Sequence, residues 1–225
     1  METARIAELL APVSGGEALP PRLLEALQRY LDLLLRWNAR VNLTAVRDPE
    51  KIVTRHFGES LFAARVLLRG GRRGEVAATL VDVGSGAGFP GLPMKLFAPQ
   101  LGLTLIEAHS KKAVFLREVV RSLGLGRAEV FCGRAEHWGK TADLVTLRAV
   151  EQFERALPVA AKLVAEDGRL GLLIGAGQVS IAQEGLGEHW RWSEPAVVPL
   201  SEARVVLAAE RGGPRLIDAK HPMMA

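Results

Sequence analysis

Residues 79–93 read Thr-Leu-Val-Asp-Val-Gly-Ser-Gly-Ala-Gly-Phe-Pro-Gly-Leu-Pro, and no other stretch restricts the fold so strongly. Leu80, Val81 and Val83 form a short apolar run with the β-branched residues of a buried strand. The run stops at Gly84, and Gly86, Gly88 and Gly91 follow it closely. Glycine is needed where the backbone takes a positive φ, or where a ligand lies against the chain with no Cβ between. Leu92–Phe97 then reads as the start of a helix. Strand, glycine loop and helix in that order are the first unit of a nucleotide-binding α/β domain. Gly86-Ala-Gly-Phe-Pro-Gly91 satisfies G-x-G-x-x-G. A dinucleotide site, however, holds its pyrophosphate on backbone N–H groups, and Pro90 and Pro93 have none to give. A P-loop is excluded, because no Gly-Lys-Ser/Thr follows. The alternative is a ligand-free turn, and four glycines beside a buried strand argue against it.

From residue 79 the pattern alternates. Strands are expected at Leu80–Val83, Leu103–Glu107, Glu129–Cys132, Leu144–Leu147 and Leu170–Ile174, with helices at Ser110–Leu123 and Phe153–Val164. Ala196–Leu200 and Val205–Ala208 read as a closing antiparallel pair. Such alternation predicts an α/β fold, a mainly parallel sheet with helices on both faces. Upstream, Pro20-Pro21 opens a helix carrying Leu23, Leu24, Leu27, Tyr30, Leu31, Leu34 and Leu35 at helical spacing. Asp48-Pro49-Glu50 starts another, with Val53, Phe57, Leu61, Ala64 and Leu68 on one face. Arg55, His56 and Glu59 lie off that face. Arg55 and Glu59 read as a surface pair of little weight, and His56 as a cap, a solvated residue or a functional one. The expected division is an N-terminal helical extension (1–70) reaching into a Gly70–Gly74 linker, a cofactor-binding domain (75–209) and a loose tail (210–225).

Composition narrows the class. No apolar run in the 225 residues approaches the roughly 20 needed to cross a bilayer, and no signal-peptide pattern opens the chain. A single cysteine, Cys132, rules out an intrachain disulfide and a cysteine-rich zinc site. The five histidines have no metal-ligand spacing, so no metal is expected. These features suit the cytoplasm. A net charge of +4 permits a polyanionic partner without requiring one.

Ligands of such sheets sit beyond the carboxyl ends of the strands. Glu107 lies 23 positions after Gly84, at the place where an acid accepts hydrogen bonds from ribose hydroxyls. The same rule selects Gly133-Arg134-Ala135-Glu136 after the third strand, where backbone groups can read an adenine edge, and Arg148 after the fourth. An unpaired charge at that edge is expensive, which points Arg148 toward a ligand or substrate role. Lys111 and Lys112, with Arg117 and Arg121 further along their helix, suit phosphate contacts or a solvated face equally well.

Asp82-Val-Gly84-Ser-Gly86-Ala-Gly88 resembles the D-x-G-x-G loop of S-adenosylmethionine-dependent methyltransferases. Further segments resemble one family together: Val41-Asn-Leu-Thr-Ala-Val-Arg-Asp-Pro49, Arg55-His56-x-x-Glu-Ser60, the loop ending Phe-Pro-Gly-Leu-Pro93, Lys111-Lys112-x-x-Phe-Leu, Gly133-Arg-Ala-Glu136 and Arg148-Ala149. That family is the bacterial 16S rRNA guanine-N7 methyltransferases, also called glucose-inhibited division protein B. The resemblance covers roughly residues 20–208. It implies a Rossmann-like class I methyltransferase with a mainly parallel seven-stranded sheet and an N-terminal helical extension. It further implies S-adenosylmethionine as cofactor, 16S ribosomal RNA or a small-subunit precursor as partner, and a monomer. By resemblance Gly84, Phe89, Ala135, Glu136 and Arg148 contact the cofactor beside Gly86 of the glycine loop, Glu107 holds the acidic position, Arg148 serves catalysis, and Arg55, His56 and Lys112 face RNA, with Lys111 next to them. The chain departs from the family at Leu147, where serine is frequent, and at Ile174-Gly175-Ala-Gly177, where a lysine is frequent. The alternatives are a methyltransferase of the same fold acting on another RNA, a small molecule or a protein, a nicotinamide-dependent oxidoreductase, and a non-catalytic RNA-binding module.

Overall fold

The computed structural model describes residues 1–68, 78–150, 152–201 and 203–212; the expected Gly70–Gly74 linker and the tail from residue 213 lie outside them. Its centre is a sheet of eight strands in the order β3-β2-β1-β4-β5-β8-β6, with β7 paired to β8. The strands are β1 Thr79–Val83, β2 Gly102–Glu107, β3 Ala128–Cys132, β4 Ala142–Arg148, β5 Val164–Gly175, β6 Trp190–Trp192, β7 Ala196–Val197 and β8 Arg204–Arg211. The first five run parallel, and β8 returns antiparallel to β5. β6 and β7 both pair with β8 along the edge that β5 leaves free. They are two pieces of one interrupted strand, so eight strands fill the seven expected positions.

Two expected boundaries move. The helix after β4 ends at Lys162, and β5 begins at Val164 rather than Leu170. Between the Ala142↔Val164 and Leu144↔Arg169 pairs, β4 advances two residues and β5 five. Glu166, Asp167 and Gly168 therefore form a bulge inside the strand, not a turn before it. At the other end β8 runs through Arg211, two residues beyond the expected end of the domain.

The helices are α1 Thr3–Leu10, α2 Pro21–Asn38, α3 Pro49–Lys51, α4 Glu59–Leu67, α5 Gly91–Phe97, α6 Ser110–Ser122, α7 Phe153–Lys162 and α8 Val179–Leu186. Asp48 accepts Lys51 N at 2.8 Å and caps α3. A π-helical segment, Ile52–Gly58, joins α3 to α4. Strand side chains alternate between faces, and two cores result. Leu80, Leu103, Leu105 and Leu144 pack with α1, α2, the π segment, α4, α5 and α6 on one face. Val81, Val83, Val145 and Leu147 pack with α7 and α8 on the other. The N-terminal helices thus share one face of the sheet with α5 and α6. On α2 the residues Leu27, Tyr30, Leu31 and Leu34 are fully buried, each stabilising by about 1.5–3 kcal/mol in area terms. Among the described residues no helix is long and apolar enough to cross a membrane.

Candidate active site

The glycine loop leaves β1 and is stitched to β2. Ser85 N donates to Ile106 O at 3.0 Å, and Gly86 N to Glu107 Oε2 at 2.8 Å. His109 N donates to Glu107 Oε1 at 2.7 Å. Each carboxylate oxygen of Glu107 keeps a lone pair for a hydroxyl donor. Gly86 has φ +57°, and a Cβ built there meets nothing closer than Gly84 O at 3.8 Å, so the loop is open on that side. Gly88 is the reverse case. At φ +92° its Cβ would lie 2.3 Å from Leu92 Cδ1 and 2.6 Å from the Tyr30 hydroxyl, so this glycine permits close packing against α2 and α5.

Beside the loop, at the carboxyl ends of β1, β2 and β3, lies a cleft of about 400 Å³. Gly84, Ala135 and Glu136 line it, with Ile106, Ala108 and Val150 as apolar wall. Three candidate residues from two segments therefore meet in one cavity, and Glu107 sits between the lining residues Ile106 and Ala108. Phe89 and Arg148 do not line this cleft. They belong to a second constellation, between the loop and the N-terminal helices.

Phe89 is buried, and its ring lies 5.5 Å from that of Tyr30, 5.6 Å from Phe57 and 4.9 Å from His56. The Tyr30 hydroxyl donates to Ala87 O, tying α2 to the glycine loop. The Arg148 guanidinium lies 5.8 Å from the centre of the Phe89 ring. Its charge is paired within the protein, by a carboxylate. Nη2 and Nε donate to Glu59 Oε2 at 2.7 and 3.2 Å, and both side chains are nearly inaccessible, at 9% and 5%. Nη2 also reaches Arg55 O at 3.3 Å and His56 Nδ1 at 3.0 Å. Nη1 makes no hydrogen bond among the described residues. Arg204 Nη2 approaches the same carboxylate oxygen at 3.6 Å.

His56 is neither a cap nor solvated. It is buried, and burial followed by the charges of Arg148, Arg55 and Arg204 lowers its pKa to about 3. A guanidinium only donates, so His56 Nδ1 is the acceptor and Nε2 carries the proton, donating to Thr44 Oγ1 at 2.9 Å. The expected Arg55–Glu59 surface pair does not form: Glu59 points inward to Arg148, while Arg55 is exposed. The π segment explains the difference. Its i→i+5 turn is wider than an α turn, which rotates His56 and Glu59 to the buried side.

Asp82 is fully buried under the loop. Burial pushes its carboxyl up to about 6, opposed by hydrogen bonds from Thr146 Oγ1 at 2.9 Å and Gly91 N at 3.3 Å. Lys111 is exposed and Lys112 partly so at the start of α6. No carboxylate pairs with Arg55, Lys111 or Lys112 among the described residues, and none of the described His, Cys, Asp and Glu groups could hold a metal ion.

The model of the rRNA small subunit methyltransferase G family, GidB, matches residues 23–188. The chain belongs to this family. It is 38% identical over 207 residues to the ribosomal RNA small subunit methyltransferase G of Stenotrophomonas maltophilia strain K279a, covering 88% of this chain and 87% of that protein. The corresponding protein of Roseiflexus sp. strain RS-1 is 37% identical over 213 residues, covering 89% and 88%. Among solved structures, a SAM-dependent methyltransferase from Aquifex aeolicus matches with TM-score 0.58 and 16% identity, over 76% of this chain and 97% of that one. A ribosomal protein L11 methylase from Lactobacillus delbrueckii subsp. bulgaricus matches with TM-score 0.57 and 14% identity, over 71% and 80%. At those identities the structural matches speak for the fold, which is that of a class I methyltransferase.

Proposed function

We propose that this protein transfers a methyl group from S-adenosylmethionine to N7 of a guanine in 16S ribosomal RNA. The observation that carries the reading is the pairing of family membership with the carboxyl-edge cleft, where Glu107 is held by two backbone N–H groups and still has acceptor capacity. The donor set suits the cofactor. Glu107 fits ribose hydroxyls, Ile106, Ala108, Ala135 and Val150 supply an apolar slot for adenine, and Gly86 leaves the loop open on one side. No phosphate donor is needed, which agrees with Pro90 and Pro93. In this reading residues 75–209 form the cofactor-binding domain and residues 1–70 its helical cover.

Bound there, S-adenosylmethionine supplies a methyl carbon on a positively charged sulfur. Guanine N7 has a free lone pair and no proton, so the protein provides no general base. Its task is to orient N7 in line with the methyl carbon at near-attack distance. Glu107 and the loop backbone fix the cofactor end. Arg148, held by Glu59 and His56 against Phe89, keeps Nη1 available as a donor to cofactor or base. His56 acts through Arg148 and not on RNA. Arg55 and Lys111 are exposed cations and Lys112 a partly exposed one, all suited to phosphates. The test is incubation of the purified protein with methyl-labelled cofactor and 16S ribosomal RNA, followed by digestion to nucleosides. Label in 7-methylguanosine is expected, and label in another nucleoside or none in RNA overturns the reading.

A further inference from the structure

Basic side chains also gather at the opposite end of the sheet. A cleft of about 510 Å³ opens between α2, the end of α5 and the turn from α6 into β3. Arg22, Arg29, Lys95 and Arg127 line it, against one acid, Glu25. Its wall includes Gln100 and Arg127, which precede β2 and β3. The cleft therefore lies at the amino ends of the strands, away from Gly84 and Glu107.

Lys95 forms part of the cleft lining and is only 2% exposed. Its Nζ donates to Pro99 O at 2.6 Å and Leu101 O at 2.7 Å, leaving one of three protons uncommitted. No carboxylate pairs with it among the described residues, and burial, then the charge of Arg127, lowers its pKa. Two carbonyl dipoles do not neutralise an ammonium, so the cleft keeps a positive potential. Arg22 and Arg29 stand on the exposed side of α2, two helical turns apart. No side-chain hydrogen bond or ion pair engages Arg22, Arg29 or Arg127 among the described residues. Three unpartnered guanidinium groups around a buried ammonium repel one another in the free protein and attract a polyanion.

The same charges connect to the reacting edge. α6 begins beside that edge and ends at the cleft, and Lys111, Arg117 and Arg121 are exposed along it. From Lys111 to Arg121 the helix rises about 15 Å. Arg121 is partly committed to Glu118 at 2.6 Å, whereas Lys111 has no carboxylate partner among the described residues.

We propose that this amino-edge cleft is a second anchoring site for the phosphodiester backbone of the RNA substrate, which crosses the α6 face from the cofactor edge. The inference rests on the ribosomal RNA reading above. Phosphates fit better than bases, because the cleft wall contains no aromatic ring for stacking. Guanidinium forks match phosphate oxygens in pairs.

The experiment is filter binding of protein-free 16S ribosomal RNA to the full chain over a series of salt concentrations. Wild type is compared with Arg29→Gln/Arg127→Gln and with Arg29→Lys/Arg127→Lys. Losing two phosphate contacts makes the slope of log K against log salt shallower by about 1.4. The lysine pair restores most of that slope, and S-adenosylmethionine affinity in each variant reports an intact fold. An unchanged slope in the glutamine variant overturns the proposal, and so does a lysine variant as shallow as the glutamine one. If a polyglutamate probe binds wild type but not the glutamine variant while the RNA slope is unchanged, the cleft belongs to an acidic protein instead. Methyl transfer by wild type to the same RNA is scored separately, so failure of the cleft and failure of the function are distinguishable.

Discussion

Replacing Glu59 by alanine would strip the carboxylate from a buried guanidinium. Arg148 and Glu59 expose only 9% and 5% of their side chains and meet at 2.7 and 3.2 Å. Removing one partner of a buried pair leaves an uncompensated charge and costs about 3–5 kcal/mol. Arg148 retains Arg55 O, His56 Nδ1 and the face of Phe89, so the lower end, about 3 kcal/mol, is expected. Glu59→Gln keeps an acceptor of the same shape, and its cost falls to about 1–2 kcal/mol. Against a total stability of about 5–15 kcal/mol, both variants still fold. Urea unfolding reads the effect as a lowered midpoint at unchanged m-value. Combining Glu59→Ala with Arg148→Met removes both charges, so the double variant should lose less than the sum of the singles, by about 1.5 kcal/mol or more. A Glu59→Ala protein within about 0.5 kcal/mol of wild type, the range of an ordinary surface change, would refute the buried-pair reasoning.

Gly86→Val has room for its side chain but is strained at φ +57°, so it should cost about 1–3 kcal/mol while filling the open side of the loop; calorimetry on protein verified as folded should find no S-adenosylmethionine affinity, and retained affinity contradicts the site. His56 has a folded pKa of about 3, below the ordinary 6.5, so its neutral form contributes stability that is present above pH 6.5 and lost as pH falls toward 3. Its imidazole NMR signals should stay fixed between about pH 8 and about 4.5, and the stability advantage of wild type over His56→Gln should shrink on acidification; a titration near 6.5 contradicts this. The single-turnover rate with bound RNA should be nearly flat from about pH 6.5 to 9, and a tenfold rise per pH unit would reveal an essential base.

The parallel sheet and its carboxyl-edge cleft were legible because their signals are local. Leu80–Val83 ending at Gly84, and Glu107 ending an apolar strand, specify where the chain turns and what it offers there. The Arg148 constellation was not legible. Glu59 and Arg148 are separated by 89 positions, and only packing of the N-terminal helices against the sheet brings them together. Helical periodicity put His56 and Glu59 on the outside, because it assumes α geometry through the π segment at Ile52–Gly58. Tyr30 counted only as an apolar member of α2, yet its hydroxyl reaches the loop at Ala87. The interrupted edge strand was half seen. Ala196–Val197 gave a signal and Trp190–Trp192 did not, since three residues are too few to show alternation.

The central claim is methylation of guanine N7 in 16S ribosomal RNA. Nucleoside mass spectrometry of 16S ribosomal RNA from cells with and without this gene tests it most directly. Removing the gene should lower 7-methylguanosine by one residue per 16S molecule, and restoring it should bring that residue back. An unchanged 7-methylguanosine content, or loss of a different modified nucleoside, contradicts it.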